Sequence, residues 1–449
     1  MTSSPDADPQ ATGAAPALEG QPPEIDDGLI ASLRGLDRNG RLLFATRILR
    51  MFGYGFLAVV LVLYLAGIGL EPAPIGLILT LTLLGDTLIS LWLTTRADRI
   101  GRRLVLIIGS LLMVAAGVVF ASTDVFLVLV LAGVIGVISP TGNEVGPFLA
   151  IEQAALSQSI PDARRTPTFA WYNLVGYLAT AVGALAAGVI SQALIAAGVV
   201  AVDAYRWVVI GYALVGVLMA LLFRLVGPEV EVPVRPATAD DGIARRLGLG
   251  ARSRGIVTRL SALFALDAFG GGFIPQSLMA YWFHLKFGVE PAVLGAIFFA
   301  ANLLAAVSSL SASRIAARIG LVNTMVFTHL PSNVLLILVP LMPTLPLAIF
   351  VLLLRFSLSQ MDVPTRQSYV MAVVEPDERS AAAGVTGIAR TTGAAISPAL
   401  SAPLVASTGL AGLPFFLAGG LKIVYDLLLY RSYTSGRAPD ERRPDRARA

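Results

Sequence analysis

Between residues 344 and 372, Arg355, Ser359, Asp362 and Arg366 follow an i, i+4, i+7, i+11 spacing among Leu, Phe and Val. On a helix that spacing puts all four on one face. Charges on an otherwise apolar helix must look into protein or a water-filled cavity, because lipid does not solvate them. A second stretch, 125–151, carries Asn143 and Glu144 beside Val145-Gly-Pro147, an echo of Asp362-Val-Pro364. Proline at membrane depth removes a backbone hydrogen bond and is tolerated where a cavity or neighbour re-satisfies the chain. Glu144 and Asp362 are therefore expected at related depths. Asp267, just before Phe269-Gly-Gly-Gly272 and Pro275, and Asp86, after Gly85, are further isolated acids in apolar surroundings. Asp86, Glu144, Asp267, Arg355, Asp362 and Arg366 are thus the candidates for binding a substrate or a proton. For each, a purely structural ion pair is the competing reading. Lys422 and Asp426, spaced i, i+4, are expected to neutralise each other. Arg47 and Arg50 are expected to snorkel toward lipid headgroups, and His329 to be hydrogen-bonded locally.

The stretches that carry these residues are long and apolar. Of 449 residues, 56% are hydrophobic and only 14% charged, against about 25% charged in an ordinary soluble domain. The mean hydropathy is +0.76. A soluble chain of this length would lack the charge to cover its surface. Twelve apolar segments fall at 42–68, 73–95, 103–122, 125–151, 168–198, 206–226, 260–285, 292–313, 321–341, 344–372, 380–408 and 411–430. Each approaches the roughly 20 residues that cross a bilayer as a helix, and none alternates like a barrel strand. The fold class is all-α integral membrane with twelve transmembrane helices.

With no cysteine and two histidines, disulfides, thiolate sites and multi-histidine metal centres are excluded. No Gly-x-x-x-x-Gly-Lys-Ser/Thr loop is present for nucleotide hydrolysis. Neither an enzyme nor a cofactor or metal is expected. The net charge of +4 belongs to the loops rather than to a nucleic-acid face. Arg96, Arg99, Arg102 and Arg103, then Arg164 and Arg165, Arg314 and Arg318, and Arg379 lie in alternate connections; the intervening ones hold only Arg206 and Lys286. By the positive-inside rule both termini are cytoplasmic.

The second half repeats the first. Glu71-Pro-Ala-Pro-Ile-Gly76 returns as Glu290-Pro-Ala-Val-Leu-Gly295, and Arg99-Ile-Gly101 as Arg318-Ile-Gly320, both 219 residues on. Pro161-Asp-Ala-Arg164 returns as Pro376-Asp-Glu-Arg379 after 215. The organisation is an N-terminal tail (1–41), a six-helix half (42–226), a polar cytoplasmic linker (227–258), a second six-helix half (259–431) and a C-terminal tail (432–449).

At Thr94-Thr-Arg-Ala-Asp98-Arg99-Ile-Gly101-Arg102-Arg103 the chain resembles the major facilitator superfamily. The signature of that family between its second and third helices is Gly-x-x-x-Asp-Arg-x-Gly-Arg-Arg/Lys. Thr94 replaces the first Gly, and the second copy keeps Arg318 and Gly320 with Ala317 in place of the acid. The region around Asp362-Val-Pro-Thr-Arg366 is similar to a branch of bacterial and fungal facilitators whose substrates are mostly unassigned. The resemblance implies a monomeric secondary transporter in the bacterial inner membrane, working by alternating access on a small molecule with protons as coupling ion. It also implies a gating latch of Asp98, Arg99, Gly101, Arg102, Arg103, Arg318 and Gly320, in which Glu152 is the acid expected to meet one of the arginines. Gly176, Gly183 and Gly188 partly match the fifth-helix pattern of proton-exchanging exporters, although Ala184 and Ala187 depart from it; efflux is the expected direction. An uptake permease or uniporter for a small metabolite or anion, a metalloid exporter and a non-transporting membrane sensor are the alternatives.

Overall fold

The structure is a computed structural model that describes residues 36–160, 162–231, 251–375 and 378–433. Most of the expected linker and both tails lie outside the described residues. Within them the regular structure is helical throughout. The first half comprises α1 (Arg38–Gly67), α2 (Pro72–Ile100), α3 (Arg102–Ser122), α4 (Phe126–Ile135), α5 (Phe148–Ser159), α6 (Asp162–Ala196) and α7 (Ala201–Leu225). The second comprises α8 (Ala251–Gly272), α9 (Gln276–Phe287), α10 (Pro291–Ile319), α11 (Leu321–Leu338), α12 (Leu345–Ser359), α13 (Asp362–Val373), α14 (Arg379–Ala406) and α15 (Leu413–Tyr433). Ten spans among the described residues are long and apolar enough to cross a membrane, with 253–287 and 345–373 each counted whole. Helix α4 is apolar but short, and α14 is diluted by Gly, Ser and Thr and by Pro398 and Pro403. Helix α8 starts inside the expected linker, and α15 runs to Tyr433, two residues past the expected end of the second half.

The 219-residue repeat has a structural cause. Pro72 and Pro291 open α2 and α10 at the first helical position, where the missing N–H costs nothing. Gly101 and Gly320 close the same two helices with φ of 106° and 86°, a region that favours glycine. The repeated motifs are thus the two corners of one helix, used twice.

Three expected spans are interrupted. The chain leaves helical geometry between Ile135 and Phe148, between Gly272 and Gln276, and at Gln360–Met361. Pro140, Pro147 and Pro275 explain the first two, with Gly142 and Gly146 at φ 71° and 82°. Interrupted backbone at membrane depth needs partners from the protein, and they are present. Tyr54 Oη donates to the Val145 carbonyl at 2.9 Å and Tyr212 Oη to the Val137 carbonyl. Asp86 accepts from the Gly146 N–H at 2.7 Å. Ser308 Oγ accepts from the Gln360 N–H at 3.2 Å, and the Pro140 carbonyl accepts from the Ser277 N–H at 3.1 Å.

The halves meet along α6–α10, α2–α14 and α1–α9. At the end away from the basic loops the approach is so close that only glycine fits. A Cβ on Gly188 would lie 2.3 Å from the Pro291 carbonyl, and one on Gly76 2.6 Å from that of Pro398. At the basic end the halves instead flank a cavity of about 760 Å³ between α6 and α13. Leu88, Leu111, Leu131, Leu214 and Phe350 stay exposed on the outer faces, as lipid contact requires.

Candidate functional site

In the first half the charges of α1 meet those of the interrupted span. Arg50, fully buried, sends Nη1 and Nη2 to the two carboxylate oxygens of Glu152 at 2.7 and 2.6 Å, the parallel geometry that suits guanidinium and carboxylate best. Its Nε reaches Glu144 Oε1 at 2.7 Å, and Arg47 Nη1 pairs with Glu144 Oε2. Thr46 Oγ1 and Tyr172 Oη complete the shell of Glu152. The arginines therefore do not snorkel: Arg47 is 5% exposed and Arg50 is fully buried. Nor does Glu152 join the loop arginines, because Arg50 already takes both of its oxygens. Arg47 also lies over the ring of Tyr172, 4.9 Å from its centroid.

The second half builds its network from α8 and its own interrupted span, with a further cation from α15. Asp267 on α8 accepts from Lys422 Nζ on α15 at 2.6 Å and from Arg366 Nη1 on α13 at 3.5 Å. Arg366 also holds Asp362, one turn away, at 2.6 Å. Lys422 thus serves Asp267 rather than Asp426, a correction to the i, i+4 expectation. Asp426 is instead bound by His329 Nδ1 and Asn333 Nδ2, both at 2.9 Å, while His329 Nε2 stands 3.8 Å from Asp267. His329 is hydrogen-bonded as expected, but to α15 as well as within its own helix. So α1 brings cations to an acidic interrupted span, and α8 brings an acid to an interrupted span that carries a cation.

Arg355 lies within electrostatic range of Asp267 but makes no ion pair with it. Its guanidinium packs on the neighbouring Phe356 ring at 4.9 Å, and its buried Nε has no hydrogen-bond partner. Glu144 and Asp362 both lie at span interruptions, as the proline echo implies. Asn173, Gln367 and Ser368 line the basic-end cavity with Phe169 and Met371; one helical turn deeper lie Tyr177 on α6 and Asp362 and Arg366 on α13, and Tyr177 is within electrostatic range of both and of Arg47.

The loop signature builds a corner with an unforeseen clasp. Glu231, beyond α7, accepts from the backbone N–H groups of Arg102 and Arg103 at 2.7 and 3.0 Å, capping the start of α3 with negative charge. Arg103 Nη2 donates to the Arg224 carbonyl at the end of α7, 2.6 Å away. Asn39 joins the same strap, donating to Glu229 and accepting from Gly227 N–H at 3.0 and 2.9 Å. The Asp98 side chain lies outside the described residues; Arg99 and Arg318 are exposed. Polar residues after a span looked like plain linker, so nothing in the pattern singled out Glu231 or Asn39.

Comparison with known proteins decides the family. A family model described as Major Facilitator Superfamily matches residues 43–398. The chain belongs to the major facilitator superfamily. This facilitator is 31% identical over 418 residues to an uncharacterized membrane protein of Saccharomyces cerevisiae, YJR124C, covering 87% of this chain and 93% of the yeast protein. The fold is similar to that of the nucleoside transporter NupG, solved as a point mutant, with a TM-score of 0.69 at 15% identity over 88% of this chain and 99% of that one. A D-xylose-proton symporter gives 0.65 at 12% identity, covering 87% and 97%. A bacterial homologue of the human lysosomal transporter Spinster, inward-facing and unoccupied, gives 0.64 at 17% identity, covering 92% and 99%. This likeness shows the facilitator fold, and the fifteen described helices are consistent with twelve spans of which three are interrupted.

Proposed function

We propose that this facilitator is a secondary active transporter that carries a small polar molecule by alternating access, coupled to protons and in the direction of efflux. The observation that carries the reading is the pair of buried charge networks, Arg47–Arg50–Glu144–Glu152 and Asp267–Asp362–Arg366–Lys422, set one in each half above a cavity open to one side. Ion pairs this deep are held in place by geometry rather than by solvent, so a solute or proton that engages one changes how the halves fit. Read by the positive-inside rule, the basic end faces the cytoplasm, and a cavity open to that side supports loading for export. Tight packing at Gly76 and Gly188 closes the other end. Transporters of nucleosides and of D-xylose share the fold, and these solutes define the first substrates to try.

The test is proton movement in proteoliposomes. Purified protein is challenged with nucleosides, pentoses and organic anions while a trapped dye reads internal pH. A solute that moves with a stoichiometric proton signal supports the reading. Counterflow without any proton signal contradicts the coupling, and no flux with a broad panel contradicts transport.

A further inference from the structure

Among the described residues, the buried carboxylates inside the spans are matched to bases with one exception; Glu378, also buried, sits at the start of α14 outside them. Among the described residues, Glu144, Glu152, Asp267 and Asp362 each lie within 4 Å of an Arg or Lys, and Asp426 lies against His329. Asp86 on α2 has none, although it is only 9% exposed. Its Oδ1 accepts from the Gly146 N–H at 2.7 Å and from Ser90 Oγ at 3.2 Å. The titratable groups within electrostatic range of it are Tyr54 on α1 and Tyr212 on α7. Both tyrosine hydroxyls are occupied by carbonyls of the interrupted segment. Arg390, on the α14 helix that packs against α2, makes no ion pair with it.

We propose that Asp86 is the proton-binding group of this transporter and that its proton works the interrupted segment 136–147 as a hinge. The inference rests on the proton-coupled reading above and names its site. Protonating a matched acid removes an ion pair from a buried cation or breaks the His329 bridge, at a cost of up to about 3–5 kcal/mol where no second acid remains. Protonating Asp86 strands nothing. The proton adds to a carboxylate oxygen, and the charge-assisted bond from Gly146 becomes a weaker neutral one. Gly146, at φ 82°, sits two residues from Glu144, which holds both Arg47 and Arg50. Loosening Gly146 therefore loosens the carboxylate that neutralises those two arginines. The matching position of the other half has no such acid, so one proton acts on one half.

Two measurements on the full chain test this without a known substrate. The first is pH-difference infrared spectroscopy of the reconstituted protein, which reads the carbonyl band of a protonated carboxyl group. The second is the spin-label distance between N173C and S368C, feasible because the chain has no native cysteine; both sites are exposed and flank the basic-end cavity. D86N is expected to lose the carboxyl band and to abolish the pH-dependent shift in distance, while D86E keeps both. A band that survives in D86N but is lost in D426N overturns the assignment and moves the proton to the His329 pair. A wild-type protein with no titrating band and no pH-dependent distance contradicts proton coupling itself. If D86N does not fold, S90A, which removes one donor to Asp86, is expected to shift the band, and an unshifted band counts against the proposal.

Discussion

Arg50 and Glu152 form a two-bond pair between α1 and α5, 2.7 and 2.6 Å long, with both side chains fully excluded from solvent. A buried pair of this kind adds little beyond an apolar replacement, but breaking it on one side is costly. Arg50→Met leaves Glu152 with only hydroxyl donors, and a loss of about 3–5 kcal/mol is expected. Glu152→Gln costs less, because Glu144 still neutralises Arg50. Thermal unfolding in detergent should rank the two in that order.

Asp267 and Lys422 form an ion pair at 2.6 Å; Lys422 and Asp426, though one helical turn apart, form none within 4 Å. A double-mutant cycle on Asp267→Asn and Lys422→Met should give a coupling of about 0.5–3 kcal/mol. The corresponding cycle on Lys422 and Asp426 should give a much smaller value. Denaturant midpoints in one detergent measure both.

Glu231 caps α3 from a distance of 128 residues along the chain. Removing the charge with Glu231→Gln is expected to weaken the corner by about 0.5–2 kcal/mol. Hydrogen exchange at the Arg102 and Arg103 amides should then accelerate several-fold, with amides in α10 unchanged.

The strap from Gly227 to Glu231 has a pH dependence of its own. The Glu229 carboxyl is held below its ordinary value by a backbone N–H of its own residue and by the Asn39 side chain at 3.0 Å. A depressed folded value stabilises the docked strap above the unfolded value of about 4.3, and the contribution is lost as pH falls through the folded value. Exchange at the Gly227 amide should therefore increase on acidification below about pH 4. In N39A, which removes the side-chain donor, that step should be smaller.

Spans, repeat, fold class and the two corner glycines were all legible in the sequence, because each rests on local chemistry. Hydropathy marks a span wherever it packs, and Gly101 and Gly320 are needed by the turn itself. Glu144 and Asp362 were legible as a pair for the same reason, since proline perturbs its own helix. Their partners were not. Arg50 meets Glu152 across 102 residues and Lys422 meets Asp267 across 155, so spacing along one helix pointed Lys422 to the wrong acid. Within the expected latch, Glu152 is held by Arg50 rather than by a loop arginine, a partner 102 residues away in sequence. The role of Tyr172 depends on which acid α5 turns toward it, and no spacing along α6 shows that.

Gly188 lies where α6 and α10 approach too closely for a side chain. A side chain there meets the Pro291 carbonyl, so Gly188→Val is expected to wedge α6 from α10 and abolish transport without unfolding either half. Size-exclusion behaviour should stay that of the parent, while spin labels at E71C and E290C should move apart.

The central claim is that the two ends open in turn, and paired distances in one sample type test it most directly. Labels at N173C and S368C report the basic end; labels at E71C and E290C, on the repeated Glu-Pro corners, report the other. Across a change of pH that titrates Asp86, one distance should lengthen as the other shortens. Two distances that stay fixed, or that lengthen together, contradict alternating access in this protein.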